Sequence, residues 1–236
     1  MQTYARIAGV LFLISAVAGG FGEFIVPSQL LVSGDATATT NNIIASESVF
    51  RAGFAAYLLE AVCDVALTLV LYVLLRPVHR DLALLAVFFR LVSTAVFGVS
   101  EVLFYSAPSL ILGGADYLTT FSPDQLNTLA FLSLRIFGYG SGIAFVFYGI
   151  GSIVLGYLIF RSGFLPKVLG VLLVLSGLGF VVRTLALVLA PAYASSALLV
   201  PTAVAGLALT VWLLVKGVDV RKWEARAALT EARKTP

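Results

Sequence analysis

The chain has 236 residues, of which 60% are hydrophobic and 11% charged, with a formal net charge of +3 and a mean hydropathy of +1.04. An average soluble domain carries about 25% charged residues, and a disordered chain needs low hydrophobicity with high charge, so both classes are excluded. A single cysteine, Cys63, excludes a disulfide framework or a Cys-rich metal site, and a single histidine, His79, excludes most haem, zinc and di-metal sites.

What remains is an all-α, polytopic membrane helix bundle. A spanning helix needs about 20 mostly apolar residues. Six stretches qualify, at 6–26, 50–75, 82–106, 126–160, 166–190 and 197–216. The first ends its apolar run at Ala16-Val17-Ala18, which resembles a signal-peptidase site. Only Arg6 precedes it, however, and apolar residues continue to Val26, so a retained helix is expected. Pro27, Pro77 and Pro108 are expected just beyond the ends of the first three spans. Ser122-Pro123-Asp124-Gln125 reads as an N-cap, a first-turn proline and a capping-box glutamine at the head of the fourth. From Pro123 to Phe160 an unbroken helix would measure about 55 Å, against a hydrocarbon core of about 30 Å. The fourth span therefore projects outside or bends at Gly138, Gly140, Gly142, Gly149 or Gly151. Close helix packing is the other use of such glycines. Residues 1–217 read as one six-span membrane domain and 218–236 as a charged cytoplasmic tail, with Trp223 marking an interfacial helix.

Basic residues set the orientation. Eleven of the 15 Lys and Arg fall before span one, between spans two and three, between spans four and five, or after span six. The alternate loops, 27–49, 107–125 and 191–196, contain none. The positive-inside rule then places both termini in the cytoplasm. The basic excess thus belongs to membrane loops, and no Lys/Arg stretch with interleaved aromatics points to nucleic acid.

Arg51, Arg90, Arg135 and Arg183 remain, and Glu23, Glu60, Asp64 and Glu101 also fall within or beside spans. Each such charge costs a few kcal/mol at the bilayer centre unless paired or wetted. On span two, Tyr57, Glu60, Asp64 and Thr68 share one helical face; on span three, Arg90, Thr94, Phe97, Glu101 and Tyr105 do. Arg135, Tyr139 and Gly142 share one on span four, and Ser176 and Arg183 lie on span five. Counted from the cytoplasmic ends, Glu23, Glu60 and Arg183 come out at about 24–26 Å, and Asp64 and Arg90 at about 18 and 14 Å. The reading is an outward-opening polar cavity lined by Glu23, Tyr57, Glu60, Glu101, Arg135, Tyr139 and Arg183, with an Asp64–Arg90 ion pair closing its floor. The same charges also read as structural ion pairs, or as a proton relay. No residue is assigned a catalytic or metal-binding role, and no cofactor is expected. Cys63 has no histidine at its depth to activate it.

Short segments spread over almost the whole chain carry a resemblance. They are Arg6-Ile7-Ala8-Gly9, Gly34-Asp35-Ala36-Thr37-Ala38, Leu74-Leu75-Arg76-Pro77-Val78, Phe88-Phe89-Arg90-Leu91-Val92, Gly156-Tyr157-Leu158-Ile159 with Arg161-Ser162-Gly163, and Trp212-Leu213-Leu214-Val215-Lys216-Gly217. In these the chain resembles the bacterial membrane-protein family catalogued as domain of unknown function 4386. The resemblance implies a multi-span fold in a bacterial plasma membrane and no activity. Members of that family often carry Glu and His near the positions of Arg135 and Phe137, and another His near Gly151. This sequence lacks them, so a metal or proton role resting on those histidines is not carried over. The function expected is binding or transport of a small polar or amphipathic molecule, with membrane lipids as neighbours. A structural or accessory subunit contacting a partner membrane protein is the alternative.

Overall fold

A computed structural model describes residues 1–232. Among the described residues there is no strand, and six helices are long and apolar enough to cross a membrane. They are α1 (Gln2–Leu30), α3 (Glu47–Leu75), α4 (Arg80–Ile111), α5 (Pro123–Ser162), α6 (Lys167–Leu189) and α7 (Ala197–Val215). Two shorter helices, α2 (Ala36–Ala45) and α8 (Val220–Ala232), complete the set used below. Helix α2 lies where the sequence read as a loop. It starts because Asp35 caps it, accepting from the Ala38 N–H at 2.8 Å.

Two prolines behave differently from expectation. Pro27 and Pro108 do not follow the ends of α1 and α4; the helices run on to Leu30 and Ile111. Each proline lacks the N–H that would bond the carbonyl four residues back. The chain absorbs the loss by widening one turn to π geometry, over Gly20–Ile25 in α1 and Val102–Ser106 in α4. The Val26 N–H accordingly reaches Phe21 O, and the Ala107 N–H reaches Val102 O, five residues back in each case. Each proline then sits in the first turn of the α segment that resumes.

Helix α5 is one continuous α-helix of 40 residues, about 60 Å long, which none of its glycines interrupts. Its capping box forms: the Ser122 N–H donates to Gln125 Oε1 at 2.8 Å, and the Gln125 N–H to Ser122 Oγ at 3.3 Å.

The described residues cluster into two compact units. The first comprises residues 1–14, 63–94 and those from 144 onward. Its core is aliphatic, with Leu67, Leu74, Leu75, Leu158, Ile159, Leu209 and Leu213 wholly buried. There α5 meets α6 through facing glycines. A Cβ on Gly149 would lie 2.6 Å from Gly177 O, and one on Gly156 2.6 Å from Gly170 O, so only glycine allows this approach. Helix α8 is tied in by hydrogen bonds from Trp223 Nε1 to Leu74 O at 2.8 Å and from Thr230 Oγ1 to Pro77 O at 2.9 Å.

The second unit comprises residues 15–62 and 95–143, and its core is aromatic. Phe50, Phe104 and Tyr105 pack with Val26, Leu30, Ile43 and Leu134, with Phe21, Phe54 and Phe137 around them. The Phe50 and Tyr105 ring centroids are 5.0 Å apart, and those of Phe104 and Phe137 4.9 Å, within the range of favourable aromatic pairs.

Candidate functional site

In the first unit, α4 carries Arg90 inward at 3% exposure. Its Nε donates to Thr68 Oγ1 at 3.1 Å, and its NH2 lies 3.2 Å from Asp64 Oδ1. The guanidinium stacks on the Tyr148 ring, 4.7 Å from the centroid. Asp64 and Thr68 are four residues apart on α3, so one helical face presents a carboxylate and a hydroxyl together. Gly151 on α5 leaves room for the arginine stem: a Cβ there would touch Arg90 Cγ at 3.4 Å. An enclosed cavity of about 10 Å³ beside Arg90 and Tyr148 is otherwise lined by apolar side chains such as Phe12, Leu71 and Leu209. That is room for about one water. Arg183, on α6, is half-buried, and its Nε has no hydrogen-bond partner among the described residues.

The second unit gathers acids. Glu101, on α4, is 2% exposed, and its Oε2 accepts no hydrogen bond from any described residue. Glu60, on α3, interacts electrostatically with Glu101. The Tyr105 hydroxyl lies within electrostatic reach of Glu101, Glu23 and Glu60. The approach of α1 to α3 depends on small residues. A Cβ on Gly19 would sit 2.6 Å from Glu60 Oε1, and one on Gly22 3.1 Å from Gly53 O. Gly53 in turn faces the Tyr105 ring, which leaves no space for a side chain there. The Tyr105 hydroxyl donates to Gly22 O at 3.0 Å, so one hydrogen bond joins the π turn of α4 to that of α1. Tyr57 completes the group. Its ring lies 5.5 Å from that of Phe97, and its hydroxyl faces Gly98, one turn before Glu101.

Arg135 and Tyr139 are the other residues of the expected lining in this unit. Arg135 and Tyr139 share a face of α5, and both are exposed, Tyr139 at 63%. The buried positions on this stretch are Ala130, Ser133, Leu134, Ser141 and Gly142. Arg51 is exposed too and pairs with Glu47 at 2.6 Å. Residues four apart are natural neighbours on a helix surface. Among the described residues, no group of three or more His, Cys, Asp or Glu is placed to hold a metal ion.

The π turns and the glycines around Glu60 and Tyr105 have no counterpart in the expectations from sequence. Their signal was present: each π turn ends two residues before a proline inside an apolar run.

The family described as domain of unknown function (DUF4386) matches residues 7–217 of this chain. An uncharacterized protein of Archaeoglobus fulgidus is 30% identical over 124 residues. That match covers 52% of this chain and 60% of the archaeal protein. No solved structure matches.

Proposed function

The chain belongs to this family of unknown function, and from that premise we propose that it is a multi-pass protein of the cell membrane that binds, and in doing so can move, a small polar or amphipathic molecule. Glu23, Tyr57, Glu60 and Glu101 of the second unit are the proposed contacts. One observation carries the reading: Glu101 is almost fully buried with an oxygen that no described group satisfies. Buried polar atoms are nearly always hydrogen-bonded, and intramembrane ionisable groups mark ligand or ion pathways by default. Two π turns flank the cluster, and such turns recur at functional sites. Arg135 and Tyr139 drop out of the proposed lining because they are exposed. Both termini are proposed to be cytoplasmic, on the side of the basic loops.

The test is a thermal-shift screen of the purified full chain against lipids, amino acids, amines and organic anions. A saturable stabilisation that is lost in Glu101→Gln supports binding. A screen without stabilisers, with native mass spectrometry showing only bulk lipid, contradicts it. Orientation is tested with single cysteines at the exposed positions Ser33, Ser122 and Glu224. The first two should label from outside, and the third only after permeabilisation.

A further inference from the structure

We infer that the acidic cluster of the second unit takes a small organic ammonium ion, so the class of ligand is a protonated amine and not a carboxylate. This rests on the binding reading above. Glu101 Oε2 lacks a donor among the described residues, and an ammonium group brings three N–H donors on a compact charge. A cation entering this site meets Glu101 and Glu60, which already interact with each other. Glu23 acts on the same Tyr105 hydroxyl as Glu101 and Glu60 do. A carboxylate ligand would meet only other carboxyl groups at these positions, and none of them brings it a cationic donor. The two cationic side chains that the second unit contains, Arg51 and Arg135, are both exposed, so neither offers an anion an interior partner within the unit.

The walls favour an organic cation over a bare metal ion. No group of three or more His, Cys, Asp or Glu among the described residues is placed to coordinate a metal, whereas hard cations demand six or more oxygen ligands. The core of the same unit is aromatic. Tyr57 and Phe97 pair at 5.5 Å, Phe97 and Phe137 at 5.9 Å, and Phe54 and Tyr105 at 5.6 Å. The ring quadrupole attracts a cation at its face and accepts its apolar substituents equally well. Carboxylate and aromatic ring thus recognise the two ends of one molecule.

The experiment is calorimetric or thermophoretic titration of the purified full chain with phenethylammonium and butylammonium, run beside sodium, potassium, benzoate and phenylacetate. Saturable binding of the amines is expected, weakened roughly 10- to 150-fold in Glu101→Gln, the effect of losing one charge-assisted hydrogen bond. Glu60→Gln should weaken it as well and serves if Glu101→Gln does not fold. Arg135→Gln should leave it unchanged. Saturable binding of the carboxylates that survives Glu101→Gln would overturn the assignment of a cation while leaving the binding reading in place. Saturation by sodium or potassium alone, abolished in Glu101→Gln, would overturn its organic part. No binding by any probe would overturn both.

Discussion

Arg90 in the first unit and Glu101 in the second are almost equally hidden, at 3% and 2% exposure, yet their surroundings differ. Arg90 has a hydroxyl on its Nε, a carboxylate at 3.2 Å and an aromatic ring beneath its plane. Glu101 has an oxygen without a donor and another glutamate as its electrostatic neighbour. The packing around them differs in the same sense. The first unit closes on aliphatic side chains and facing glycines, the second on rings and widened helical turns. A buried charge set against an opposite charge locks helices together. An acid whose electrostatic neighbour is another acid is suited to meeting something else.

The comparison breaks most visibly if Arg90 loses its carboxylate. Asp64→Asn should lower stability by about 3–5 kcal/mol, the usual cost of leaving a buried charge unpaired. The double change Asp64→Asn with Arg90→Leu should recover part of it. Denaturation of the purified protein would show this, and simple additivity of the two single losses would mean that the residues do not interact.

A smaller effect is expected where the first unit is held by shape alone. Gly156→Val places carbon against Gly170 O and should cost about 1–3 kcal/mol by overpacking. Gly138→Val is the contrast, because nothing lies within 4 Å of a Cβ there. Equal melting temperatures for the two variants would refute the close approach of α5 to α6.

Much of this was legible in the sequence, and the rest was hidden for physical reasons. Helical spacing alone puts Tyr57, Glu60, Asp64 and Thr68 on one side of α3, and Phe97, Glu101 and Tyr105 on one side of α4. It also groups Arg135 with Tyr139, but spacing says which residues share a face and not which way the face turns. Helix α5 is apolar nearly all round, so its rotation is set by contacts such as Gly140 against Ser100, which no periodicity reveals. Pro27 and Pro108 misled for a different reason. A proline after an apolar run is a stop signal in most helices, and only the neighbouring turn shows whether the helix ends or widens.

The smallest effect lies outside the membrane, at the start of α8. The Lys222 backbone N–H, donating to Asp219 at 3.2 Å, holds the Asp219 carboxyl below its ordinary value of 3.8. A depressed folded value means that this stabilisation is fully present above the ordinary value and is lost as pH falls through the lower one. Trp223 fluorescence should therefore report loosening of α8 only below about pH 4. Loosening that begins near neutral pH would point to another group.

The difference between the two units is tested most directly by neutralising one buried acid in each and melting the two proteins side by side in the same detergent. Asp64→Asn removes the partner of a buried cation and should lower the melting temperature sharply. Glu101→Gln exchanges a carboxyl group that has an unsatisfied oxygen for an amide of nearly the same shape, and removes no partner of a buried cation. Its melting temperature should equal or exceed that of the unmodified protein, as is common when a residue kept for function is replaced. A fall for Glu101→Gln as large as that for Asp64→Asn would contradict the account, because Glu101 would then be structural in the same sense as Arg90.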